Sequence, residues 1–222
     1  MSDKMAFWGL ISKRERYGLT LRGYIILAGM SIALLVLAVG NLFPFLAVNE
    51  PVAGDIMVVE GWLPDYAIAT AVRDFKKENY KLLVTTGVPF GIGSPLRRYG
   101  TSADLAAVIV RSMGFDEEKL VAVSTPDVKR NRTYESALQL KKWLQSTGLK
   151  ITALNIYTLG PHARRSRLLF RCVFAPDIEV GVIAVNNRGY EPNRWWTYSN
   201  GVRQVLDEAI AYIYAKFFFI PY

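Results

Sequence analysis

The only histidine in the chain stands in Thr158-Leu159-Gly160-Pro161-His162-Ala163-Arg164-Arg165-Ser166-Arg167. Pro161 suits the first position of a helix, so His162 falls where backbone N–H groups are free and the helix dipole is positive. Arg165 and Ser166 follow three and four residues later and share its face, whereas Arg164 points elsewhere. Free N–H groups, an imidazole and a guanidinium together make a cradle for a phosphate or carboxylate. The plainer alternative is a helix whose arginines pair with neighbouring Asp and Glu residues.

A second set lies in Asn131-Arg132-Thr133-Tyr134-Glu135-Ser136-Ala137. Thr133 can cap a helix with Glu135 in its first turn, where a carboxylate is favoured. Equally, Glu135 can reach His162 and orient its imidazole for general acid–base work, with Arg132 as a further anion ligand. Glu60 closes the apolar run before Gly61-Trp62, either as a polar cap of a sheet or as a site group. Glu60, Glu135 and His162 are separated single residues, a weak pattern for a hard cation, and one histidine excludes a multi-histidine metal centre. Gly87 opens the loop Thr86–Ser94, which is glycine-rich without matching either nucleotide-binding spacing; there the backbone can approach a ligand closely. No nucleophile stands out. Cys172 is expected to be packed within a helix, and Ser166 lacks the nucleophile-elbow pattern.

The elements that must position these residues alternate regularly. Asp55–Gly61, Lys81–Gly87, Lys119–Pro126, Thr152–Gly160 and Ile178–Val185 are short apolar runs bounded by turn residues, which predict buried strands. Helical spacing fills Pro64–Tyr80, Thr101–Met113, Arg132–Thr147, His162–Phe174 and Gly201–Phe218. Five βα units predict an α/β chain: a Rossmann-like, three-layer α/β/α fold with a mostly parallel five-stranded sheet. In such sheets ligands bind outside the carboxyl ends of the strands, near a switch in strand order. The loops that begin at Glu60, Gly87, Ser124, Gly160 and Val185 are therefore the place to look.

One element does not belong to that pattern. Gly23 to Val48 is 26 residues without a charge, longer than the roughly 20 that span a bilayer. It predicts one N-terminal transmembrane helix, with Pro44 ending or kinking it; a cleaved signal peptide and a buried core helix are the alternatives. Lys4, Lys13, Arg14, Arg16 and Arg22 precede the span, while Glu50, Asp55, Glu60 and Asp65 are the first charges after it. That asymmetry predicts a cytoplasmic N-terminus and an exported remainder. The expected organisation is a basic cytoplasmic segment (1–22), the transmembrane helix (23–48), a linker (49–54) and an extracytoplasmic domain (55–222).

Composition narrows the class further. Of 222 residues, 51% are hydrophobic and 21% charged, which excludes a disordered or collagenous chain. One cysteine excludes an intrachain disulfide. The formal charge is +8 for the chain, and the exported part keeps 22 basic against 17 acidic residues, a balance of +5 that favours anionic surfaces or ligands; export argues against nucleic acid as a partner. Trp195-Trp196 either stack on a sugar, rest at a bilayer surface or wedge under the last helix, and Phe217–Tyr222 form an unusually apolar tail suited to a membrane or a protein partner.

Taken in order, Val59-Glu60-Gly61, Thr85-Thr86-Gly87, Arg132-Thr133-Tyr134-Glu135-Ser136-Ala137 and Thr158-Leu159-Gly160-Pro161-His162-Ala163-Arg164-Arg165 resemble the ElyC/SanA/YdcF family of bacterial envelope proteins, over about Asp55 to Phe218. The anchor resembles the membrane-attached branch of that family. The resemblance implies a Rossmann-like fold, a role in cell-envelope or surface-polysaccharide biogenesis, and Asp104 as a replacement for an acidic residue at the start of the second domain helix. It specifies neither a reaction nor a cofactor.

The expected protein is therefore a single-pass inner-membrane protein whose exported domain binds an anionic, lipid-linked or glycan intermediate, with hydrolysis or transfer at a phosphate or glycosidic linkage as the chemistry if it is an enzyme. His162 and Glu135 are its candidate catalytic pair; Arg165, Arg132, Thr133, Gly87, Glu60 and Asp104 are its candidate ligand contacts. The alternative is a non-catalytic assembly factor that meets other envelope biogenesis proteins through Trp195, Trp196 and Phe217–Tyr222. A nucleotide-type cofactor binder is permitted by the fold and disfavoured by the glycine loop and by export.

Overall fold

A computed structural model of the chain describes residues 19–221, together with the backbone of two short strands, Met5–Ala6 and Ile11–Ser12, which pair antiparallel. Most of the basic N-terminal segment and Tyr222 lie outside the described residues. The contacts divide the chain into two units, Met1–Gly40 and Asn41–Tyr222.

The first helix, α1 (Leu21–Leu46), is 26 residues long and reaches a mean hydropathy of 2.4 over its most apolar stretch, none of which is buried. It is long and apolar enough to cross a membrane. A core helix would bury much of that surface, and this one leaves Leu34 69% exposed. Of the two effects expected of Pro44, an end or a kink, the end is not observed. Pro44 is accommodated inside the helix, which continues for two more residues.

The second unit is built on five parallel strands: β1 (Ile56–Glu60), β2 (Leu82–Gly87), β3 (Leu120–Ser124), β4 (Ala153–Leu159) and β5 (Glu179–Val185), in the order β3-β2-β1-β4-β5. Each predicted strand is present, trimmed by one or two residues at its turns. The helices are α2 (Asp65–Phe75), α3 (Ser102–Ser112), α4 (Arg132–Thr147), α5 (Ala163–Phe174) and α6 (Ser199–Phe217).

Strand side chains alternate between two cores, as period-2 geometry requires. Ile56, Val58, Leu154 and Ile156 pack on one face against Leu140 of α4 and Phe170 of α5. Met57, Val59, Leu83 and Tyr157 pack on the other against Ile68 of α2 and Ala107 of α3. With both faces covered, β1 and β4 are buried from end to end, which explains why they read as continuous apolar runs.

Residues 49–54 are not a slack linker. Glu50 forms an antiparallel bridge with Val182, and buried Asn155 receives the Val52 N–H at 2.9 Å while donating to the Val52 carbonyl at 2.7 Å. A Cβ on Gly181 would come within 2.1 Å of the Asn155 amide oxygen, so the glycine makes room for this seam.

Candidate functional site

The strand order reverses between β1 and β4, whose backbones pair directly from Ile56–Leu154 to Val59–Tyr157. Beyond their carboxyl ends the loops diverge and leave a crevice. Glu60 is the last residue of β1, and Gly160–His162 form a short 3-10 turn after β4 that leads into α5. A cavity of about 570 Å³ opens there, and Glu60, Trp62, His162, Arg165 and Glu208 are among its lining residues.

Glu60 and His162 are both buried, 4% and 7% exposed, and the network around them decides their charge. Glu60 accepts a hydrogen bond from Ser166 Oγ at 2.8 Å and another from the Thr158 hydroxyl. Its Oε1 lies 3.5 Å from His162 Nε2, an ion-pair separation too long for a directed hydrogen bond. On the other side of the ring, Nδ1 lies 2.8 Å from Oε1 of Glu208. Arg165 binds the same carboxylate through both oxygens, Nε to Oε2 at 2.8 Å and Nη2 to Oε1 at 3.0 Å. The imidazole and guanidinium thus share one acceptor, which accounts for the 2.9 Å approach of Arg165 Nη2 to His162 Nδ1.

Burial alone disfavours every charge in this cluster, yet the pairings prevail. For His162, desolvation is outweighed by the Glu60 charge and the Glu208 hydrogen bond, and its pKa is pushed up to about 9. Glu60 is buried too, but the His162 charge and its hydroxyl donors hold its pKa below the usual carboxylate value. Glu208, desolvated but bonded to His162 and Arg165, is lowered to about 2. At neutral pH the cluster is Glu60 anion, imidazolium, Glu208 anion, guanidinium. Its charges cancel.

The imidazolium has one proton committed to Glu208 and a second, on Nε2, with no acceptor at hydrogen-bond distance. Trp62, half exposed, stands edge-on to the ring with centroids 5.0 Å apart. A buried, protonated imidazole of this kind can donate a proton or stabilise developing negative charge; near pH 7 it is no base.

The lip of the cavity differs in character. Lys129, Arg130 and Arg132 line it, all exposed, and none forms an ion pair among the described residues. Thr133 lines it as well. Here α4 begins after Asn131, which takes a left-handed φ of 57° and offers no side-chain cap. The first N–H groups of α4 therefore lie among three cations, a setting that favours an anion. Apolar lining comes from Leu169 of α5, Ala211 and Ala215 of α6, and Phe219 beyond the end of α6.

The structure redistributes several expected roles. The group on His162 Nδ1 is Glu208 of α6; Glu135 sits in the first turn of α4 and is not among the residues lining the cavity. Thr133 does not cap α4. Arg165 reaches the cavity already paired, so the unpaired cations are on the lip, with Arg132 the one among them that the sequence reading named. Asp104 completes a capping box with Thr101 at the start of α3 and accepts from Ser124 Oγ, which is an architectural task. Gly87 lines the cavity, as its expected place beside a ligand requires, and Gly87 and Gly61 also serve packing: a Cβ on Gly87 would meet Ser102 Oγ at 2.0 Å, and one on Gly61 would meet the Ser102 carbonyl oxygen at 2.4 Å. Both glycines let the α3 N-terminus close onto the carboxyl ends of β1 and β2. Cys172 is exposed instead of packed. Trp195 is buried in the domain and Trp196 is half exposed. Among the described residues no group of three or more His, Cys, Asp or Glu side chains is placed to hold a metal ion.

Glu208, Trp62, Lys129 and Arg130 are the site residues that sequence reasoning missed. Trp62 adjoins the strand end already singled out. Glu208 had no local signal, because an acidic residue on an amphipathic helix reads as solvated surface. Comparison with protein-family models and with curated proteins finds no match for this chain.

Proposed function

We propose that this is a membrane-anchored extracytoplasmic protein of envelope biogenesis, of the ElyC/SanA/YdcF type, and that its cavity binds an anionic, phosphate-bearing, lipid-linked or glycan intermediate. The observation that carries the reading is the lining of the cavity: three cations without ion pairs, an uncapped helix start, the apolar side chains Leu169, Ala211, Ala215 and Phe219, and a protonated His162. An amphiphile with a phosphate head fits that lining, because its head gains charge-assisted hydrogen bonds while its apolar part covers Leu169 and Phe219. The His162 imidazolium, kept protonated by Glu208 and Glu60, is suited to stabilise negative charge that develops at a phosphate or glycosidic linkage in the cavity. α1 serves as the anchor, and the excess of Lys and Arg before it supports a cytoplasmic N-terminus.

Complementation of a strain lacking the protein tests this reading. His162→Gln and Arg130→Gln/Arg132→Gln, each at wild-type abundance, should fail to restore envelope integrity. Full rescue by both would refute the assignment of function to the cavity.

A further inference from the structure

A second groove lies on the opposite side of α5 and α6 from that cavity's lining, and the proposed activity does not use it. It measures about 450 Å³ and is lined by Arg164, Arg167, Arg171 and Lys216, with Val48 and Tyr212 beside them. No acidic side chain is among its lining residues. Arg167 is paired with Glu50, and the Arg164 guanidinium stacks 4.1 Å above the Phe45 ring and donates to the Phe45 carbonyl. Arg171 and Lys216 are exposed and form no ion pair among the described residues.

Next to this groove α6 carries an apolar stripe that no described residue covers. Leu206, Ile210, Ile213 and Phe217 recur at helical spacing, and Phe218 and Ile220 continue it; Ile210, Phe217, Phe218 and Ile220 are 68 to 81% exposed. Cations flanking a stripe of exposed aromatic and aliphatic residues are the pattern of a helix that lies in a bilayer interface.

The place of the groove in the chain identifies the occupant. Phe43 and Leu46, in the last turns of α1, are buried in the domain, and Phe45 meets Tyr212 of α6 edge-on at 5.6 Å. No spacer intervenes, since residues 49–54 are themselves bound to the sheet edge. At 1.5 Å per residue α1 is about 39 Å long, enough to cross a hydrocarbon core of about 30 Å and reach headgroup depth at its end. In the chain, Val48 of the groove follows the end of α1 by two residues.

We infer that the α5–α6 face is a second, lipid-binding surface: Arg171 and Lys216 hold the phosphate of an anionic phospholipid headgroup while Ile213, Phe217, Phe218 and Ile220 enter the same leaflet. This rests on the reading of α1 as a membrane anchor. It also sets the apolar lining of the main cavity near the lipid, because Phe219 of that lining lies between Phe218 and Ile220 in the chain.

Full-length protein reconstituted into phosphatidylcholine vesicles with or without phosphatidylglycerol tests it. In a Cys172→Ser background, an environment-sensitive fluorophore is placed at Phe218→Cys or at Ile32→Cys, and nitroxide-bearing lipids serve as quenchers. Both probes should be quenched, and quenching at Phe218→Cys should rise with phosphatidylglycerol. Arg171→Glu/Lys216→Glu should abolish that rise. Quenching at Ile32→Cys alone would overturn the docking surface and leave the anchor intact; quenching at neither position would overturn both. A blue-shifted but unquenched probe at Phe218→Cys would mean that a protein covers the stripe, which contradicts the inference, as would a charge-reversed variant that responds to phosphatidylglycerol like the parent.

Discussion

Nδ1 of His162 lies 2.8 Å from Oε1 of Glu208, a carboxylate 46 residues further along the chain on α6. This contact joins the last helix to the sheet's switch point and, together with Glu60, keeps the imidazole charged inside the protein. The positions of charge in the cavity follow from it: the buried pairs cancel, and the net positive charge is left to the lip.

Because His162 is the only histidine, its imidazole resonances can be followed by NMR without assignment. The wild-type ring should titrate near pH 9. Glu208→Gln removes a charge and a charged acceptor, so the midpoint should fall by about 1 unit or more towards the ordinary histidine value. A wild-type midpoint near 6.5 would contradict the network.

Stability should follow the same charges. The His162 pKa is raised on folding, so its contribution is complete below about 6.5 and is lost as pH rises through about 9. The Glu208 pKa is depressed, so its contribution is complete above about 4.5 and is lost as pH falls towards 2. Chemical unfolding across pH should show a plateau between about 4.5 and 6.5, with losses on both sides. In His162→Gln the alkaline loss between 6.5 and 9 should shrink; an unchanged slope would remove His162 as its source.

Much of this architecture was legible in the sequence. The α4 limits, Arg132–Thr147, match the helical spacing residue for residue, and His162, Arg165 and Ser166 do share a face. Strand ends were legible because burial on both faces leaves unbroken apolar runs that stop at turn residues. The partners were less so. Glu135 and Glu208 are both acidic residues on helices, and only the docking of α6 across the crevice decides which one meets His162. Gly87 lines the cavity and also makes room for a helix, because a glycine at a strand end has two uses. Its neighbour at van der Waals distance is α3, which no local spacing announces.

The two packing glycines should be intolerant of substitution. Gly61→Ala and Gly87→Ala each force a Cβ into Ser102 of the α3 N-terminus, and overpacking of this sort costs about 1–3 kcal/mol. Thermal or denaturant unfolding should record the loss. Gly91→Ala, whose Cβ meets nothing within 4 Å, provides the contrast and should stay within about 0.5 kcal/mol of wild type.

Arginines at the site should separate into two kinds. Arg165→Ala strips a charged partner from Glu208 and should cost about 1–3 kcal/mol of stability. Arg130→Ala and Arg132→Ala, at exposed positions, should leave unfolding within about 0.5 kcal/mol of wild type. Equal losses for all three would remove the distinction between paired floor and open lip.

Ligand binding tests the central claim most directly. Full-length protein in detergent micelles should bind a polyprenyl monophosphate saturably in a calorimetric or fluorescence titration, and the corresponding polyprenol, which lacks the phosphate, much more weakly. Lys129→Gln/Arg130→Gln/Arg132→Gln should weaken phosphate binding by about tenfold or more, since each charge-assisted contact contributes about 1.5–3 kcal/mol. Equal affinity for the phosphate and the alcohol, or wild-type affinity in the triple variant, would contradict the cavity as an anion site.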